Sequence, residues 1–218
     1  MPRSVLLARP LRWLLAVVLV FVVGELAGCG YNRLVSDDED VKAAWSEVLN
    51  QYKRRADLVP QLVQVVQGEA AFERTTLTQV IEARARATSM QVGPAVLQDP
   101  AALARFEQAQ GQLTGALSRL LVVAENYPTL QANQAFLDLQ SQLEGTENRI
   151  AVARHRYIQS VNVYNREVRS LPTNLTAMAF GFAPRANFQT DDDARLAVPP
   201  RIDLSGTAPP SAAASARP

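Results

Sequence analysis

Along most of this chain the apolar residues recur at alternating intervals of three and four, the period of one face of an α-helix. They fall at Val41, Trp45, Val48 and Tyr52, then at Val59, Leu62, Val63, Val66 and Ala70, and again at Leu77, Val80 and Ile81. Ser36 with Glu39 three residues on fits a capping box, so a first helix is expected from Ser36 to about Ser89. Pro60 lies within it. A proline removes one helical hydrogen bond and crowds the carbonyl four residues back, which predicts a kink or break near residues 56–60. Without such a bend this helix would overhang the others.

Asp99 followed by Pro100 supplies an N-cap and a first helical position for a second helix. Leu103, Phe106, Gln110, Leu113, Leu117, Leu120, Ala124 and Tyr127 carry its stripe, and Pro128 ends it. A third helix is expected from Leu130 to Leu171, its stripe running from Phe136 through Thr146 and Tyr157 to Val168 and stopping before Pro172. Gly111, Gly115 and Gly145 lie inside these patterns, each costing roughly 1 kcal/mol against alanine, and close helix approach is the expected compensation. No sustained period-two run with flanking turns occurs between Val41 and Leu171. The fold class is therefore all-α, an antiparallel bundle of long helices over residues 37–190 with an irregular C-terminal segment. One short helical turn is expected between Asn174 and Phe182, with Phe180, Phe182 and Phe188 packing back on the bundle. Residues 191–218, rich in proline, alanine and serine toward their end, are expected to be a largely disordered tail.

The amino terminus reads differently. Arg3, Arg9 and Arg12 precede an uninterrupted apolar run from Trp13 to Val23, about half the roughly 20 residues needed to span a bilayer. Leu26-Ala27-Gly28-Cys29 follows closely and resembles the lipobox of bacterial lipoproteins, although Glu25 is atypical of that motif. Residues 1–28 are thus expected to be a cleaved signal peptide, with Cys29 the lipidated mature amino terminus and residues 29–36 a membrane-proximal linker. An uncleaved single-pass inner-membrane anchor is the alternative, and either places the following residues on the extracytoplasmic side. With Gly30 after the cysteine, sorting to an outer membrane is favoured where one exists.

Charge and composition narrow the chemistry. Of 22 basic and 21 acidic residues, cleavage before Cys29 removes three arginines and one glutamate, leaving a nearly neutral chain with no electrostatic footprint for nucleic acid. The one histidine, His155, has no ligand-type neighbour at helical spacing, and no second cysteine or histidine could complete a zinc site. Phosphate-binding glycine loops and nucleophile elbows are absent from the sequence. No catalytic residue, cofactor or metal site is assigned. Three polar clusters stand out: Lys53-Arg54-Arg55 with Asp57, Glu125-Asn126-Tyr127, and Glu144 with Glu147, Asn148 and Arg149. Solvated ion pairs such as Arg54 with Asp57 are the simplest account of them, and the pair Glu144 and Glu147 is a weak cation signal.

Several of these residues fall in ordered motifs. They include Gly30-Tyr31-Asn32, Ala44-Trp45, the run Arg54-Arg55-Ala56-Asp57-Leu58-Val59-Pro60, Glu82-Ala83-Arg84, Ala124-Glu125-Asn126-Tyr127-Pro128, Glu144-Gly145-Thr146-Glu147-Asn148-Arg149 and Val163-Tyr164-Asn165. Across about residues 30–190 the chain resembles the LemA family. The resemblance implies an up-and-down four-helix type of bundle tethered to a membrane by its amino terminus, with no defined catalytic residues. The function expected is a non-enzymatic scaffold or interaction module of the envelope, meeting an envelope protein through Arg54, Arg55, Asp57 and Pro60. The alternative is an unrecognised small-ligand-binding protein or enzyme whose polar site lies inside the bundle, with Glu147, Arg54 and Tyr127 converging on a pocket.

Overall fold

The computed structural model describes the backbone of residues 8–188, apart from 70, 71 and 91, and side chains from residue 30 onward with the same gaps. Helix α1 spans Ala8–Gln67, α2 Arg74–Ser89, α3 Pro100–Ala124, α4 Pro128–Gln131, α5 Gln134–Arg169 and α6 Thr173–Phe180, with a 3₁₀ turn at Pro94–Gln98 before α3. No strand occurs among the described residues. Helix α1 runs alongside α5 for much of its length and α2 alongside α3, so the fold is the expected all-α bundle. The membrane-anchor processing expected at Cys29 and the tail from residue 191 lie outside the described residues.

The start of the bundle differs from the expectation. Residues 30–36 are helix, not a linker, and Ser36 is an ordinary position inside α1. The reason is packing: Leu34, one heptad before Val41, is fully buried and carries the apolar stripe upstream of Ser36. Glu39 receives Lys42 Nζ at 2.6 Å and serves no cap.

The break in the first predicted helix also moves. It falls at Gly68, where the amides of Gly68 and Glu69 bond back to the carbonyls of Val65 and Val66 at 3.2 and 3.1 Å and tighten the last turn. Phe72 then tucks in against Tyr127, ring centroids 5.0 Å apart, and α2 returns beside α1. At Pro60 the helix continues unbroken. The proline cannot donate to the carbonyl of Ala56, and that acceptor is taken instead by Nε of Arg84 on α2, at 2.8 Å. A side chain from the neighbouring helix supplies the hydrogen bond that the backbone lost.

Asp99 caps α3 as expected, its carboxylate accepting from the amides of Ala101 and Ala102, and Asn133 caps α5 in the same way from Ala135 and Phe136. The stripes read from sequence on α3 and α5 are the buried faces of those helices, except that Tyr127, beyond the end of α3, is half-buried and Leu171, after the end of α5, is exposed. Gly111 and Gly115 face open space, so close helix approach does not explain them; Gly145 faces only the guanidinium of Arg149.

The buried side chains form two clusters. In the first, Trp45, Tyr52, Phe106, Tyr157 and Phe188 make an aromatic centre, with Trp45 5.5 Å from Phe106 and 5.4 Å from Tyr157 between ring centroids. The second is largely aliphatic and joins the end of α1 to α2, the second half of α3 and the start of α5. Phe188 reaches the first cluster on an extended strap after α6. Tyr164 and Tyr157 donate to the carbonyls of Ala183 and Ala186, Asn165 bonds both ways with the backbone of Arg185, and the amide of Ala186 bonds to Leu97 O. Arg185 closes it with two bonds to Oδ1 of buried Asp38, at 2.9 and 2.6 Å. Of the three phenylalanines expected to pack back, Phe188 does so fully, Phe182 partly, and Phe180 stays exposed.

The Arg84 bond gives a first test. Arg84→Ala leaves the buried end of a carbonyl without its donor and is expected to lower stability by about 1–2 kcal/mol. In a Pro60→Ala background the restored amide of residue 60 takes that carbonyl, so the same Arg84 substitution costs clearly less. Denaturant melts of the four proteins in the cycle give the coupling; additive effects would contradict this account.

Candidate functional site

Between the aromatic and aliphatic clusters lies a layer of polar residues centred on Arg55. On an otherwise apolar face of α1, its side chain is 1% exposed, because the heptad that places Tyr52 and Val59 inside also turns residue 55 inward. Nη1 donates to Thr114 Oγ1 at 2.7 Å and to Glu147 Oε1 at 2.8 Å. Nη2 donates to Gln110 Oε1 at 2.6 Å and to the carbonyl of the same residue at 3.2 Å. Gln110 is itself buried and passes a longer bond, 3.4 Å, to the carbonyl of Ala87 on α2. One guanidinium therefore links α1 directly to α3 and α5, and α2 through Gln110.

The electrostatics follow from burial. Nε of Arg55 has no hydrogen-bond partner, and the guanidinium carbon sits 5.0 Å from the centre of the Tyr52 ring. The Tyr52 hydroxyl is pushed up from its ordinary pKa chiefly by burial, with Arg154 and Arg55 opposing. Glu147 keeps 40% of its side chain exposed, so the ion pair is dry on the arginine side and wetted on the carboxylate side. On that wet side a groove of about 450 Å³ runs between α3 and α5, lined by Thr114, Leu117, Ser118, Leu121, Leu143, Glu144, Glu147 and Asn148.

Measured against the sequence, the site is regrouped. Of the surface expected from Arg54, Arg55, Asp57 and Pro60, Arg55 is a core residue and the other three are exposed. Arg54 and Asp57 form no ion pair with each other among the described residues, which leaves both side chains facing solvent. The expected convergence of Glu147, Arg54 and Tyr127 does not form: Glu147 meets Arg55, Arg54 points outward, and Tyr127 packs on Phe72. Sequence reasoning missed Gln110 and Thr114 as partners of Arg55. The signal was present in Gln110, a polar residue in the apolar stripe of α3, in register with an arginine in the stripe of α1. Glu144 accepts from Gln140 Nε2 and Glu147 from Arg55, so the two carboxylates expected as a weak cation pair are already engaged. His155 is exposed and bonds to Gln159 one turn on.

The LemA family model matches residues 44–203, most of the chain, including every helix from α2 to α6 and the Arg55 layer. The chain belongs to the LemA family. Among its relatives, magnetosome protein MamQ 2 of Paramagnetospirillum magneticum is 27% identical over 83% of this chain and 73% of its own length. Magnetosome protein MamQ of Magnetospirillum gryphiswaldense is 26% identical over 79% and 70%, and protein LemA of Metamycoplasma hominis 22% over 77% and 72%. In this LemA-family bundle the Arg55 layer is a cross-link: both terminal nitrogens of the guanidinium are held by the bundle itself, and only Nε makes no hydrogen bond.

Substitutions at Arg55 separate a buried charge from a buried shape. Arg55→Ala strips Glu147, Gln110 and Thr114 of their common partner and leaves a cavity, and is expected to cost about 3–5 kcal/mol. Arg55→Met fills the space without a charge and is expected to recover the cavity part of that loss, while Gln110 and Glu147 stay without their donor. Urea melts followed by circular dichroism distinguish them, and equal destabilisation by the two would mean that charge pairing, not packing, dominates.

Proposed function

We propose that this LemA-family protein is a non-enzymatic scaffold or interaction module of the bacterial envelope, anchored at its amino terminus on the extracytoplasmic face of a membrane. Cys29 carries the anchoring lipid in this reading, and an outer membrane receives it where the cell has one. What supports the reading most is that α1 is already helix where the packed bundle begins at Gly30, so that Cys29, or the apolar run Trp13–Val23 where it is retained, adjoins the folded domain with no spacer. Whether the anchor is the acyl chain on Cys29 or the segment before it, the bundle is held at its Gly30 end.

The buried polar groups support a structural role. Arg55, Gln110 and Glu147, and at the strap Asp38 and Arg185, are taken up in joining helices to one another. Similarity to proteins named for the magnetosome supports a structural part. Arg54, Asp57 and Pro60, exposed together on α1, form the surface by which the scaffold meets an envelope protein. Pro60 is accounted for by Arg84, so the two charged residues carry the contact.

The anchor is tested by labelled palmitate. Label is expected in the wild type and not in Cys29→Ser, with a size decrease on export. Equal labelling of both, or export without processing, would overturn lipidation at Cys29. Arg54→Ala with Asp57→Ala is expected to leave melting unchanged within about 0.5 kcal/mol, as for exposed side chains in general, while removing envelope crosslinks that the wild type makes. Unchanged crosslinks would remove this surface.

A further inference from the structure

The last helix of the bundle is built inside out. Helix α6 turns Thr173, Thr176 and Ala177 inward and leaves Leu175 63%, Met178 80% and Phe180 62% exposed, with Leu171 just before it 77% exposed. A surface helix of a water-soluble domain does the reverse, burying its apolar stripe and exposing its hydroxyls. The inward face packs on Gly30 of α1: a Cβ there would lie 3.4 Å from Thr176 Oγ1 and 3.7 Å from Thr173 Cγ2, ordinary contact distances that place the two helices side by side. Tyr31, the next residue, is itself partly exposed and packs tilted against Phe180, ring centroids 4.8 Å apart. Gly181, in the left-handed region at φ 75°, ends the helix and turns the chain back toward the strap.

Three observations say what covers this face. The apolar side chains cluster at Gly30, the residue next to Cys29, and the Trp13–Val23 run begins only about 10 Å further along the same helix at 1.5 Å per residue. Two exposed cations, Arg166 and Arg169 in the last turn of α5, lie at the same end. With Asn162, Asn165 and Ser170 they line a shallow hollow of about 350 Å³, and among the described residues neither arginine makes an ion pair. An apolar helix face bordered by unpaired basic residues and a tyrosine matches the headgroup boundary of a bilayer, where acyl chains take the apolar side chains and phosphates take the cations.

We propose that α6 is a membrane-docking helix: Leu171, Leu175, Met178 and Phe180 insert at the acyl boundary of the bilayer that anchors the chain, and Arg166 and Arg169 meet lipid phosphates. This rests on the amino-terminal anchoring proposed above. The domain then touches its membrane at two points, the anchor and α6, and cannot swing freely about the anchor. The α1–α5 pair is held in a fixed orientation to the bilayer surface.

The test uses the full-length chain in native membranes containing phospholipid with a diazirine in the acyl chain. After illumination and tryptic digestion, lipid adducts are sought on the peptide 170–185, which contains all of α6, and on the peptide 120–149 from the opposite end of the bundle. The expected result is several-fold more lipid on 170–185 than on 120–149, and loss of that excess in a variant carrying Leu175→Asp and Met178→Asp. Because both side chains are exposed, that variant is expected to stay in the membrane pellet with wild-type melting. A chain that pellets with the membrane but carries no lipid on 170–185 would overturn the docking of α6 and leave the anchor standing. Crosslinks from α6 to protein, including a second copy, would likewise overturn it, and a wild-type chain missing from the pellet would overturn both readings.

Discussion

One buried guanidinium holds the two halves of this bundle together. The aromatic cluster and the aliphatic cluster share the long helices α1 and α5, yet they meet at a layer where the core turns polar, and Arg55 fills that layer. A charge removed from water costs several kcal/mol unless its hydrogen bonds are replaced. Here four acceptor contacts replace them, from Gln110, Thr114 and Glu147 on two other helices, and the guanidinium carbon sits over the Tyr52 ring. The geometry is satisfied in only one register of the helices. An apolar layer would tolerate sliding by a turn; this one would leave a charge unpaired.

A second polar device works the same way at the other end. Asp38 and Arg185 are both largely buried and join α1 to the strap, which in turn seats Phe188 against Trp45 and Tyr157. Arg154 lies over the Phe188 ring at 4.5 Å and pairs with Glu107 at 2.8 Å, so the strap is clamped from α3 and α5 as well. Polar links fix register and the two apolar clusters supply the bulk of the stabilisation. The outcome is a stiff α1–α5 pair, about 55 Å along α5 at 1.5 Å per residue, whose Gly30 end carries both the proposed anchor and the exposed face of α6.

Much of this was legible because helical stripes are local. The inward faces of α3 and α5 were readable residue by residue, and Asp99 with Pro100 marked a helix start without ambiguity. What failed were features decided by a partner far along the chain. Pro60 reads as a break until Arg84 arrives from α2 to take the carbonyl of Ala56. Ser36 reads as a cap until Leu34 is seen buried in the core, and Gly68, which ends α1, was hidden by apolar residues that keep nearly the same spacing on both sides of it. Arg55 sits in a run of charges and reads as surface; only its heptad relation to Tyr52 and Val59 distinguishes it from Arg54. The inverted face of α6 could not be read at all, since in sequence an exposed leucine and a buried one look the same.

The account stands on the claim that the Arg55 layer couples the two clusters into a single cooperative unit. Native-state hydrogen exchange measures this directly, by comparing the slowest amides of α2 and the second half of α3 with those of α5 beside Tyr157 and Tyr164. The account predicts that in the wild type both groups exchange through one opening of the same free energy, and that in Arg55→Ala they separate into two. Two distinct opening free energies in the wild type would contradict it, as would a single shared opening that persists in Arg55→Ala.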